Sequence, residues 1–410
     1  MPLSEFSPDF EVLKKFIQGK GNPEDLVFFE WFIDPGVATG AAGRFFEPPD
    51  RAVLNRAVGP TLLSGDEDEA DASRASAPKQ GECPEAERPI GEEDDAFEFE
   101  CSVRLARLLR LHNLPYSTCQ KILHMIPKPD PDQPAGGPTL LSGDFGAKDI
   151  AWNDICLGPF GVGSPFDMVD WQGGIALASH RYLEDAANRL PDGMLLSVAV
   201  VGVLHIAAAI LGDEQFYLGL YTEPEWMDEF MHRLVDATVE SVEQIVQYPA
   251  TGCLVIGEDM GSTNGLLIAP DILKKYSVDS HRRCVEIAHS RDIPVVLHSC
   301  GNCKDIMACE IETAGIDAKQ SFDDKSVPVE KFKSAFGDRV VTLGGLDMDI
   351  LSGSDESKIR ARTAEIMQSC WGDGRYAMGS GHCVATYTPI ENFLIMQDEA
   401  IKTWRALRGH

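Results

Sequence analysis

Along the second half of the chain the apolar positions fall into short runs of aliphatic and β-branched residues. Residues 195–201, 253–257, 294–300, 318–322, 340–343 and 376–379 read as buried strands. Helical segments separate several of them, the pattern that gives a parallel sheet covered by helices. Near the amino terminus a helix over residues 10–17 precedes an apolar, aromatic run at 26–32, in which Glu30 is the charged exception. Thr222 and Thr388 each stand three residues before a Glu, the spacing of a capping box, and mark two helix starts. Seven strands in one polypeptide suit an α/β fold of the (β/α)8 TIM-barrel type better than paired dinucleotide-binding domains. Barrel chemistry gathers at the carboxyl ends of strands, which directs attention to Glu30, Glu258, Asp259, His298, Cys300, Gln320, Asp347, His382 and Cys383.

Charge divides this picture into segments. The chain of 410 residues carries a net charge of −29, which disfavours a nucleic-acid partner because phosphate backbones select basic surfaces. Between Ser64 and Glu100 fourteen Asp and Glu stand against three Lys and Arg, so this stretch supplies about −11 of the total. Its acidic, Ala/Ser/Pro-rich composition predicts an exposed or disordered insertion. The expected organisation is therefore an N-terminal segment with the first barrel strand (1–63), the insertion (64–100) and the barrel body (101–410). The octapeptide at 59–66 recurs at 137–144, and we read the two copies as similar turn-forming loops. No long apolar run or signal-like amino terminus occurs, which predicts a soluble cytoplasmic protein without a membrane partner. Eleven scattered cysteines fit reduced thiols better than a disulfide framework.

Three clusters offer chemistry. In Val295–Asn302 the side chains of His298 and Cys300 point to one face of an extended backbone, and an imidazole with a thiolate suits zinc. The same two residues could equally be a buried His and a buried Cys with no ligand. Cys300 and Cys303 also form a C-x-x-C pair, but it closes a strand where redox pairs open a helix. Glu258 and Asp259, one strand earlier, could supply a zinc ligand or a general acid/base, or could be a capping or salt-bridged pair. The glycine-rich stretch 378–384 presents His382 and Cys383 side by side, and a catalytic zinc needs a third protein ligand beyond His298 and Cys300. Neither a dinucleotide fingerprint nor a phosphate loop is present.

The motifs at 258–270, His298–Asn302, the Gly344-Gly-Leu-Asp347 turn and the closing Gly-His-Cys…Thr-Pro-Ile-Glu-Asn392 resemble, in that order, the uroporphyrinogen decarboxylase superfamily. The resemblance runs from about residue 195 to the carboxyl terminus, with residues 22–30 matching more loosely. It implies a choice between metal-free decarboxylases and zinc methyltransferases that work with corrinoid (cobalamin) proteins. The decarboxylases' Arg-containing signature would fall near residues 28–40, where no Arg occurs. The methyltransferases' His-x-Cys pair falls on His298 and Cys300. Register against residues 388–392 places the last ligand on His382, while the expected Cys stands at Cys383. Of the two we expect Cys383 as the third ligand, with His382 beside the substrate and Glu258 or Asp259 handling a proton. The resemblance thus implies zinc in the protein, a corrinoid-binding partner, and a small methyl donor or thiol acceptor. The rival readings are a metal-free decarboxylase or lyase and a non-catalytic zinc or corrinoid binder. Oligomeric state is not legible.

Overall fold

The computed structural model describes residues 6–45, 48–49, 93–118, 120, 171 and 173–409. Both copies of the octapeptide and most of the acidic stretch lie outside the described residues. Seven parallel strands form one curled sheet: β1 (Asn113–Ser117), β2 (Leu195–Val201), β3 (Thr251–Gly257), β6 (Val295–His298), β7 (Ala318–Gln320), β8 (Val341–Leu343) and β9 (Tyr376–Ala377). They lie in that order, and a small antiparallel pair, β4 (Gly261–Ser262) with β5 (Gly265–Leu266), follows β3. Six of the strands expected from sequence are present, most of them one to three residues shorter. The stretch 26–32 is no regular strand. It contributes a bridge residue, Phe28, which pairs in parallel with Leu111 before β1 and with Met378 after β9.

β1 escaped the sequence reading because Pro115 interrupts it. The strand ends the ladder, and an edge strand tolerates a residue without an N–H. The last part of the acidic stretch is also ordered: a helix runs over Glu93–Leu108. Ala96, Phe99 and Val103 are buried on one face of it, and acidic residues suit the positive end of a helix. The two Thr-x-x-Glu starts are near helix beginnings, but neither Thr caps. The helices begin at Pro224 and Ile390, with Glu223 and Pro389 at the caps and no side-chain cap bond.

Two apolar clusters make the core. The outer one joins helices to the sheet. The inner one consists of Val27, Phe29, Ala199, Cys253, Val255, Val296, Ala318, Val341, Leu343 and Ala377, packed on Phe10, Leu13, Phe16 and Ile17 of the helix Phe10–Ile17. Phe10 lies against Gly252, and its N–H donates to Gly193 O, both at the amino ends of strands. This helix therefore fills the amino-terminal end of the curl and leaves polar chemistry to the opposite end. No helix among the described residues is long and apolar enough to cross a membrane.

Glu258 follows β3 on the outward face and is fully buried. One carboxylate oxygen accepts from Leu204 N–H at 2.9 Å, in the first turn of the helix Val203–Leu211. The other lies 3.6 Å from His281 Nε2, and His281 Nδ1 meets Glu310 Oε2 at 2.9 Å. Burial opposes a charge on His281, but Glu310 and Glu258 outweigh it and push the imidazole up to about 10. An imidazolium between two carboxylates thus ties the end of β3 to the helix Asp279–His289 and to the π turn Glu310–Ala314. The expected catalytic carboxylate Glu258 is thus engaged in this brace, and it reaches the strand-end groups described below through His205, whose Nδ1 lies 4.0 Å from its Oε1.

Two predictions follow from the packing. Breaking a buried ion pair leaves uncompensated charge, so His281→Gln should lower stability by about 3–5 kcal/mol in urea unfolding at neutral pH. Because the folded pKa of His281 lies above its ordinary 6.5, its contribution is full below pH 6.5 and is lost as pH rises through about 10. Wild-type protein should therefore lose stability between pH 7 and 10 more steeply than the variant, and equal slopes would show that His281 is neutral. Gly344 has φ +82°, and a Cβ there would lie 2.2 Å from Ser380 O. Gly344→Ala should destabilise by more than about 1 kcal/mol, and an unchanged urea midpoint would contradict this close approach.

Candidate metal centre

β6 alternates faces, so Val296 fills the inner core and His298, two residues on, rises from the same face. The backbone then turns at Gly301, φ +71°, where a Cβ would lie 2.5 Å from the backbone of Gly261. That turn directs Cys300 back over the end of the sheet. Three strands along the ladder, the loop after β9 is held by backbone pairing of Ser380 with Leu346 and by Glu30. Ser380 N–H donates to Glu30 Oε1 at 2.7 Å, and the Ser380 hydroxyl bonds to Glu30 Oε2. Burial pushes the Glu30 carboxyl up to about 8, partly offset by these bonds. The same hydroxyl meets the carbonyl of His382 at 2.5 Å, which fixes that residue's backbone.

His382 Nε2 lies 3.1 Å from Cys300 Sγ, and His298 Nε2 lies 3.6 Å from the same sulfur. The three donor atoms all fall within 4.8 Å of one another. Tetrahedral zinc, with bonds of about 2.0 Å to nitrogen and 2.3 Å to sulfur, sets those atoms about 3.5 Å apart, so the donor set fits the ion in chemistry and spacing. Burial drives the His298 imidazole down to about 3, with His382 acting in the same direction, and burial also lowers His382. Neutral rings are the form that coordinates a metal. Burial and the neighbouring Asp259 raise the Cys300 thiol above its ordinary value, so a cation is what would favour its thiolate.

Cys383, the expected third donor, does not fall in this group of three. Its Sγ sits 3.0 Å from His382 Nδ1, on the ring nitrogen that faces away from Cys300. Neighbours on an extended backbone point to opposite sides, and the glycines around Ser380 turn the imidazole inward. Glu258 is likewise not brought to the three donors. Asp259 is: its Oδ1 accepts from Cys300 N–H at 2.8 Å, while Oδ2 lies 3.6 Å from His205 Nε2. Burial opposes ionisation of Asp259, but His205 and the Cys300 N–H outweigh it and hold the carboxyl well below its usual range.

Several surrounding groups escaped the motif reading. Gln320 Oε1 accepts from His298 Nδ1 at 2.5 Å, which leaves Nε2 of that ring as the lone-pair side. Gln320 stands at a strand end and was legible as a position, though not as a partner of His298. The Trp31 ring stacks on His298 with centroids 3.9 Å apart, and its indole N–H finds no acceptor among the described residues. His205 lies on the helix Val203–Leu211 and carries no sequence signal, since it pairs with Asp259 only through the fold. Cys303 is buried at the start of the helix Lys304–Cys309, with its sulfur 3.1 Å from Ser299 Oγ.

The geometry can be set beside known proteins. The solved structure of a methyltransferase from Methanosarcina mazei has a TM-score of 0.60 to this chain at 15% identity, covering 97% of this chain and 100% of that one, which shows a shared fold. The uroporphyrinogen decarboxylase of Paraburkholderia phytofirmans is 26% identical over 197 residues, 46% of this chain, and the match spans only half the length of that curated relative. The family model for uroporphyrinogen decarboxylase (URO-D) matches residues 176–403, more than half of the chain and the whole stretch that carries His298, Cys300 and His382. The chain belongs to the uroporphyrinogen decarboxylase family.

Proposed function

We propose that this protein is a cytoplasmic zinc-dependent methyltransferase that works with a separate corrinoid-binding protein, on a (β/α)8 barrel whose first stave is the segment around Phe28. The observation that carries the reading is the convergence of His298, Cys300 and His382 at the carboxyl ends of two strands. Zinc held by these three residues would supply Lewis-acid chemistry, keeping a small thiol as thiolate or polarising the heteroatom of a methyl donor.

The surrounding residues have definable work. Gln320 keeps the His298 proton on Nδ1, so Nε2 stays a ligand atom. Trp31 covers one face of that ring and keeps water from it. Asp259 is ionised at the rim, with one oxygen tied to Cys300 N–H and the other facing His205, and its part-exposed carboxylate can take a substrate thiol's proton and hand it on to solvent. The chain carries no Asp-x-His-x-x-Gly cobalt-ligand motif, so the corrinoid is assigned to a partner docking at the open end of the sheet. The absence of Arg between residues 28 and 40 favours this branch over decarboxylation of a polycarboxylate.

Purified protein should hold about one zinc per chain. Cys300→Ala and His382→Ala should each release it, and Cys383→Ala should keep it. Metal-free protein that transfers methyl from methylcobalamin to a thiol at the full rate would overturn the reading, and release by Cys383→Ala alone would return that residue to the ligand set. Asp259→Asn should retain zinc and slow methyl transfer by about 100-fold, the scale of a lost general acid/base. A wild-type rate in that variant would leave Asp259 as a brace for Cys300.

A further inference from the structure

The turn after β7 contains an arrangement that none of these steps uses. Lys319 is only 3% exposed, and among the described residues no carboxylate stands within ion-pair distance of it. Its ammonium instead donates to Ser299 O at 3.0 Å, to Gln320 O at 3.2 Å and to Ser321 O. An ammonium has three donors and no acceptor, so three carbonyls satisfy it completely. The rings of Phe322 and Phe332 lie beneath it, at 4.3 Å and 5.7 Å. One of the carbonyls belongs to the residue between His298 and Cys300, and the other two open the turn that follows β7. Lys319 therefore pins two strand ends to each other.

Ser321 is bent by this arrangement. It has φ +87°, one of three non-glycine residues with positive φ among those described. L-residues avoid that region, and a residue kept there is held by its surroundings. The consequence of the bend is specific: Ser321 Oγ donates to Cys300 Sγ at 3.5 Å. An extended backbone at Ser321 would turn the next side chain of the strand to the opposite face from Gln320, away from the sulfur.

We propose that Ser321 is a positioning residue for the Cys300 sulfur, locked by Lys319 in a left-handed conformation so that its hydroxyl hydrogen-bonds the metal-binding thiolate. The inference rests on the zinc reading above. A hydrogen bond to a thiolate lowers the energy of the sulfur lone pair and so tunes what that ligand gives to a bound metal.

The test replaces zinc with Co(II) and reads the sulfur-to-cobalt charge-transfer band, which Cys300 alone would produce because it is the one sulfur in the donor set. Ser321→Gly removes the hydroxyl while supplying a residue that adopts positive φ without strain, so the fold should be at least as heat-stable as wild type. Its band should move to longer wavelength, as should that of Ser321→Ala. Lys319→Met, which frees the turn, should shift the band the same way, and if that variant fails to fold Ser321→Gly decides the matter. Cys383→Ala should leave the band in place. A wild-type band with an unshifted Ser321→Gly band overturns this inference and leaves the metal reading standing. Wild-type protein that takes up no Co(II) overturns both.

Discussion

One carboxamide joins the two halves of the candidate centre. Gln320 sits at the end of β7, between the strand that carries His298 and those that lead to His382. Its oxygen accepts from His298, and its nitrogen donates to the carbonyl of Ser380 at 3.4 Å. An amide has a fixed acceptor end and a fixed donor end, so both bonds are made in a single orientation. That orientation decides which nitrogen of His298 carries the proton. It also holds the β9 loop at the distance that lets His382 approach a sulfur 82 residues earlier in the chain. Glu30 backs the same loop from the other side, so Ser380 is gripped between two buried side chains. The triad depends on this grip because none of its members is bonded to another through a rigid element other than β6.

The two buried polar clusters at this end of the sheet illustrate different solutions to the same desolvation problem. Around His281 charge is balanced internally, with an imidazolium between carboxylates, and the result is a brace. Around Cys300 burial acts the other way: it favours neutral imidazoles and a protonated thiol. Among the described residues the buried cation beside the sulfur is Lys319, itself satisfied by carbonyls, so the neutral donors form a set that a divalent ion would fit. Binding of such an ion would release the Cys300 proton and so would depend on pH. The acidity of Asp259 belongs to the second cluster and not the first, although it is adjacent to Glu258 in sequence. Strand alternation separates them, one carboxylate turning outward to Leu204 and the next toward Cys300.

Much of this was legible in the sequence where it depended on local rhythm. Strand period gave β2, β3 and β6–β9, and the same period put His298 and Cys300 on one face. Contacts made by the fold were not legible. Cys383 looked the better zinc donor by ligand chemistry, but the inward turn of His382 is set by Ser380, Glu30 and the Gly344 turn, none of which is near in sequence except Ser380. Glu258 looked catalytic from its place after a strand, and its outward direction became visible only once Ile256 was seen to pack in the outer core. His205, Trp31 and Lys319 lack motifs altogether. His205 and Trp31 act through partners dozens to hundreds of residues away and Lys319 through carbonyls up to 20 residues away, and no spacing rule encodes those contacts.

The extent of the family match bears on where selectivity resides. Residues 176–403 contain all three candidate donors, Gln320, Asp259 and the Lys319–Ser321 turn, so the candidate centre lies within the part matched by the family model. Trp31 and Glu30 lie outside it. Trp31 nevertheless stacks on His298 and stands edge-on to His382 with centroids 6.3 Å apart, so one wall of the site comes from the less similar segment. An indole in that place gives the site a flat apolar surface, with its N–H buried and without an acceptor among the described residues. A flat aromatic wall beside His298 and His382 is therefore what this segment adds, and a change there can reshape that wall without disturbing the donors beneath.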